Sequence, residues 1–171
     1  MIDVDVIGLP AAREALRPDL PDAAGVRELC LAAAARAGIR EGHLAVEFVD
    51  AARIAALNAE HRNEAHATDV LSFPIDGPAD DGDGQEVAGG YPNATAGRTR
   101  THAQQPDREL GDVVICLEHT RDVREAIVHG VLHLAGLDHE TDDGDMLALQ
   151  REVLAAARAA PGQRSHPREG R

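Results

Sequence analysis

Three histidines within one short stretch carry the strongest chemical signal in this chain: His129-Gly130-Val131-Leu132-His133-Leu134-Ala135-Gly136-Leu137-Asp138-His139. Helix positions four apart share a face and lie about 6 Å apart along the axis, so His129 and His133 can offer nitrogens to one ion. Gly136 permits the backbone reversal that ends such a helix, and His139 can then swing back with a third nitrogen. Three neutral imidazoles with an open fourth position form the donor set of a catalytic zinc, which lowers the pKa of water to about 7. A single histidine in an apolar helix is more often a core residue than a ligand. Three at this spacing around a helix-ending glycine point to one divalent transition metal per chain, with zinc expected and nickel, copper or cobalt chemically compatible.

The spacing is that of the long zinc-protease signature, His-Glu-x-x-His-x-x-Gly-x-x-His, with one change. Gly130 stands where those proteases keep the glutamate that serves as general base. Losing a general base costs about 10²–10⁴ in rate, so the peptidase reading weakens. Met146 comes too soon after His139 to form a Met-turn. A glycine inside a helix also costs about 1 kcal/mol relative to alanine. Either it keeps room open beside the metal or it lets the helix pack closely on a neighbour, and the sequence leaves both open.

The elements that must position these histidines are legible from periodicity. Ile2, Val4 and Val6 alternate as a strand, and so do Leu44, Val46 and Phe48. Between them, Pro21 to Ala37 repeats apolar residues at helical spacing, with Gly38 at the C-terminal stop. Asp50 can cap a helix that runs through about His61. Val70 to Phe73, closed by Pro74, and Leu110 to Leu117 give two more strands. Arg121 to Gly136 is apolar on most sides through Val123, Ile127, Val128, Val131, Leu132 and Leu134, which makes it a central helix. A last helix is expected from about Asp142 to Ala159, turning Met146, Leu149, Val153, Leu154 and Ala157 inward. Residues 77–107 form a long insert rich in Gly, Asp, Pro and Thr, expected to be mobile. The tail 161–171 is expected to be disordered. The whole reads as one α+β domain over residues 1–160, with neither an internal repeat nor a linker between two cores.

The 171 residues suffice for a real core, built mainly from Val, Ile, Leu and Ala because aromatics are scarce. No apolar run approaches the roughly 20 residues of a membrane span, and the first residues lack the regions of a secretory signal. Cys30 and Cys116 sit apart in apolar settings and read as two buried thiols, in keeping with a cytoplasmic location. The formal charge is −13, and all 17 basic residues are arginine. Such a balance argues against a broad nucleic-acid surface, since affinity for phosphate backbones comes from clustered positive charge.

The stretch His129-Gly130-x-Leu132-His133-Leu134-x-Gly136-x-Asp138-His139 resembles the signature of the YbeY family of metal-dependent endoribonucleases. Leu57-Asn58, Arg62 and Thr68-Asp69-Val70-Leu71-Ser72-Phe73-Pro74 look like that family's other block, and Leu110-Gly111-Asp112-Val113-Val114-Ile115 like its following strand. The likeness runs from about Leu44 to Glu140 in the right order; the insert is longer than usual. It implies a compact zincin-like α+β domain with a mixed four-stranded sheet, and the metal on a central helix and the turn after it. It further implies cleavage of single-stranded RNA, in maturation of the 3′ end of small-subunit rRNA and in ribosome quality control. By the same resemblance His129, His133 and His139 are the metal ligands and Arg62 lies in the substrate cleft. Expected partners are RNA and the ribosome or its small-subunit proteins, with the chain itself a monomer.

With no glutamate beside the metal, charge neutralisation must carry more of the catalysis. Arg62 can hold phosphate charge with its planar fork of donors, against the plainer reading of a surface arginine at a helix end. Asp138 can act as a base, orient an imidazole, or only shape the turn. Glu125, on the same stripe as His129, reads as structural. His61 and His66 flank Arg62 and can reach substrate; His43, His102, His119 and His166 read as surface residues. Asn58 either bonds near the cleft or punctuates a helix. The rival functions are a metallohydrolase of another class, such as a peptidase, and a non-catalytic ribosome-associated module with a purely structural metal.

Overall fold

A computed structural model describes residues 1–9, 20–76 and 108–159; the insert at 77–107 and the tail at 161–171 lie outside the described residues. Four strands, β1 (Ile2–Ile7), β2 (Gly42–Val49), β3 (Val70–Pro74) and β4 (Glu109–Cys116), form one sheet in the order β1-β2-β4-β3. β1 and β4 run parallel to β2, whereas β3 is antiparallel to β4, so the sheet is mixed as expected. The four described helices are α1 (Ala23–Arg36), α2 (Ala51–Arg62), α3 (Val123–Leu134) and α4 (Asp145–Ala159). None is long and apolar enough to cross a membrane.

Alternation along the strands separates two cores. Val4, Leu44, Val46, Leu110, Val113 and Ile115 face α1, α3 and α4, and this larger cluster includes Val26, Ile127, Val131, Leu132 and Met146. On the other face Ile54 and Leu57 of α2 cover Leu71, Val114 and Cys116. The helix α3 is buried along most of its length, from Val123 to Leu134, which fixes the positions of the histidines it carries. Cys30 and Cys116 are buried free thiols, and burial pushes the Cys30 thiol up to about 12.

The capping chemistry explains where the helices begin and end. Asp50 accepts from the Arg53 N–H at 2.8 Å to start α2, and Asn63 ends that helix in the left-handed region. Asp122 accepts from the N–H groups of Arg124 and Glu125, so α3 starts at Val123, two residues later than the periodicity suggested. Asp142 likewise caps α4 from outside it, accepting from the Met146 N–H at 2.9 Å.

One glycine fixes the approach of β3 to β4. Gly111 has φ +124°, and a Cβ there would lie 2.0 Å from the Phe73 carbonyl oxygen. The neighbouring β2–β4 register slips between His43 and Leu44, so Leu110 is the extra residue of a bulge.

Candidate metal centre

The helix α3 brings His129 and His133 onto one face, and its end returns His139 to them. The Gly136 N–H donates to the His133 carbonyl at 2.9 Å and the Leu137 N–H to the Leu132 carbonyl at 3.2 Å, a helix stop that needs the positive φ of +85° at Gly136. Beyond it, the Asp138 carboxylate accepts from the Glu140 N–H at 3.0 Å and from the Thr141 hydroxyl at 3.3 Å, tightening the turn that carries His139. The three rings meet with centroids 4.7, 5.1 and 5.4 Å apart. One nitrogen from each lies within 4.8 Å of the others, and all three side chains are half-buried.

The rings are arranged for an ion, not merely for packing. Nε2 of His133 and Nε2 of His129 face each other at 3.1 Å. Two nitrogens held by one tetrahedral zinc at about 2.0–2.1 Å would stand about 3.3 Å apart. Two of the rings are also held from elsewhere: Nδ1 of His129 meets Gln150 Oε1 at 2.9 Å, and His133 bonds the Leu137 backbone. Burial, followed by the neighbouring His129 and His139, lowers the pKa of His133, which favours the neutral form a metal requires. These residues therefore fit a single divalent ion.

Gly130 packs against the sheet. A Cβ on it would lie 2.4 Å from Cγ1 of Val113 and 3.2 Å from the Ser72 hydroxyl, so the glycine lets α3 press onto β4 and β3. Of the two readings left open by the sequence, close packing holds. The place of the proteases' glutamate points into the sheet here, which removes the peptidase base for a geometric reason.

Arg62 ends α2 and is exposed. With His61, Ser72, Phe73 and Pro74 it lines a depression of about 210 Å³, and the His61 and Phe73 rings stack with centroids 4.8 Å apart. Ser72 links this depression to the metal helix, because its hydroxyl donates to the Gly130 carbonyl at 3.3 Å. A second cleft, of about 410 Å³, opens onto His129 itself between Asp69, His119, Arg121 and Glu125. Asn58 is buried and donates to the His66 carbonyl at 3.0 Å, tying down the loop after α2. His66 itself is exposed beside Glu64.

A family model described as endoribonuclease YbeY matches residues 22–158. The chain belongs to the YbeY family. Among its YbeY relatives, an endoribonuclease YbeY from Stenotrophomonas maltophilia (strain R551-3) is 37% identical over 155 residues, covering 81% of this chain and 82% of the relative. One from Bacillus cytotoxicus is 34% identical, over 77% and 83% of the two chains. One from Macrococcus caseolyticus is 32% identical, over 91% and 96%. The family resemblance carried by the histidine signature and the Arg62 block is borne out, and YbeY membership makes this chain a metal-dependent hydrolase.

Sequence reasoning missed Gln150. It is buried on α4, and its amide bonds both His129 and Glu125. The signal was present: residue 150 falls on the stripe of Met146, Val153 and Leu154, where a polar side chain is out of place unless something partners it. His43, expected at the surface, is half-buried on the sheet, with Nδ1 2.8 Å from Glu109 and Nε2 3.3 Å from Asp5.

Proposed function

We propose that the chain is a zinc-dependent endoribonuclease that cleaves single-stranded RNA in maturing the 3′ end of small-subunit rRNA and in ribosome quality control. The observation that supports it best is the convergence of His129, His133 and His139 in a chain of the YbeY family. These three residues hold the metal. When bound, the ion supplies Lewis acidity beside the scissile phosphate and a source of hydroxide at neutral pH.

The chain's own residues supply the rest. Arg62 sits at the rim of a depression that Ser72 joins to α3, where its guanidinium can take two phosphate oxygens and offset charge that grows as the phosphate is attacked. Asp138 was the other catalytic candidate. Both its oxygens already accept hydrogen bonds within the turn, so its role is to hold His139 in place and add negative charge beside the imidazoles. The cleft of about 410 Å³ that opens onto His129 is where we place the RNA strand.

The substrate reaches this centre in the cytoplasm through ribosomal partners, because a charge of −13 gives the monomeric chain little general attraction for RNA. Incubating the purified protein with single-stranded RNA and with casein, each with and without chelator, tests the reading. Chelator-sensitive cleavage of RNA alone is expected; cleavage of casein, or RNA turnover indifferent to chelator, would overturn it.

A further inference from the structure

Gln150 occupies a position where only one orientation of its amide satisfies both neighbours. A carboxylate can only accept hydrogen bonds, so the amide must turn its NH₂ toward Glu125, where Nε2 lies 3.1 Å from Oε1. That places the amide oxygen against Nδ1 of His129 at 2.9 Å. An acceptor there requires the proton on Nδ1. A neutral imidazole carries only one such proton, so Nε2 keeps its lone pair, and Nε2 is the nitrogen that faces His133.

We propose that Gln150, oriented by Glu125, is a positioning residue that holds His129 in its Nδ1–H tautomer and so selects the nitrogen offered to the metal. The inference rests on His129 being a ligand, as argued above. It gives Glu125 a specific part: its carboxylate sets which way the amide points. A flipped amide would present its NH₂ to Nδ1, send the proton to Nε2, and close the ligating position. Orientation of a metal-ligating histidine through its second nitrogen is worth about 10–100-fold in affinity when lost.

Two readings test it: the His129 tautomer in metal-free, ¹⁵N-labelled protein by long-range ¹H–¹⁵N correlation, and zinc affinity by competition with a chromophoric chelator. Wild type should show the Nδ1–H form. Gln150→Leu should lose that bias and bind zinc about 10–100-fold more weakly. Glu125 is exposed, so Glu125→Ala should fold as wild type does and still raise the Nε2–H fraction; an evenly flipped amide weakens zinc binding about twofold. Exchanging donor and acceptor, Glu125→Gln with Gln150→Glu, keeps an acceptor against Nδ1 and should restore the Nδ1–H form. An Nε2–H tautomer in wild type, or a tautomer unmoved by both single variants, would overturn the proposal. Equal zinc affinity in wild type and Gln150→Leu would do the same. Wild-type protein that takes up no zinc would instead overturn the metal-site reading beneath it.

Discussion

Gly130 and Val113 are in contact so close that no side chain fits between them: a Cβ on the glycine would stand 2.4 Å from the valine's Cγ1. The contact seats α3 on β4 and so sets the depth at which His129 and His133 emerge. Gly130→Ala gains about 1 kcal/mol of helix propensity but overpacks a β-branched neighbour, which costs about 1–3 kcal/mol. Net destabilisation is expected in chemical denaturation, and Gly130→Glu should be worse while conferring no peptidase activity. A stabilised Gly130→Ala would show that the helix does not sit on Val113.

Arg62 is expected to act on the phosphate and not on the metal. Arg62→Glu should lower cleavage of single-stranded RNA by at least about 10²–10³, the usual effect of losing one group that stabilises transition-state charge. Zinc content should stay at the wild-type level, because Arg62, at the end of α2, is not one of the three ligands. Retained cleavage would remove Arg62 from the mechanism.

Asp138→Asn should lower cleavage only severalfold, since the amide oxygen can still accept from the Glu140 N–H. A catalytic base would be lost entirely by the same change, with a drop of about 10²–10⁴. Single-turnover cleavage rates distinguish the two.

Free RNA should bind weakly and with shallow salt dependence. Each phosphate neutralised on a single strand contributes about −0.7 to the slope of log affinity against log salt. One or two contacts around Arg62 therefore give a slope no steeper than about −1.4. Fluorescence anisotropy across a salt series measures it, and tight binding with a steep slope would reveal a basic surface that the described residues do not form.

His43 predicts a pH effect on stability. Its hydrogen bond to Glu109, with a smaller part from Asp5, raises its pKa despite opposing burial. A raised histidine pKa stabilises the fold fully below the unfolded value of about 6.5 and loses that contribution as pH rises through the folded value. The stability difference between wild type and His43→Gln should therefore be larger at about pH 6 than at about pH 9. An equal difference at both would mean that the ion pairs do not form in solution.

The parts legible in the sequence are those written in local spacing. The intervals from His129 to His133 to His139, the stop at Gly136 and the cap at Asp50 are each contained within a turn or two of chain, and the structure places them as read. What the sequence hid depends on how distant elements are set against one another. Gln150 reaches His129 from 21 residues away. It could be recognised only as a polar residue on an apolar stripe, and its partner could not be named. Gly130 left two readings because its meaning lies in β4 and β3. His43 looked like a surface histidine because Asp5 and Glu109 become its neighbours only once β1, β2 and β4 pair.

The most direct test is the metal stoichiometry of the purified chain and of three single variants, His129→Ala, His133→Ala and His139→Ala, by elemental analysis after equilibration with zinc. The account predicts one ion per wild-type chain, and loss of tight binding in each variant while the fold, read by circular dichroism, persists. A wild-type chain without metal, or a His139→Ala variant that holds its ion as firmly as wild type, would contradict it.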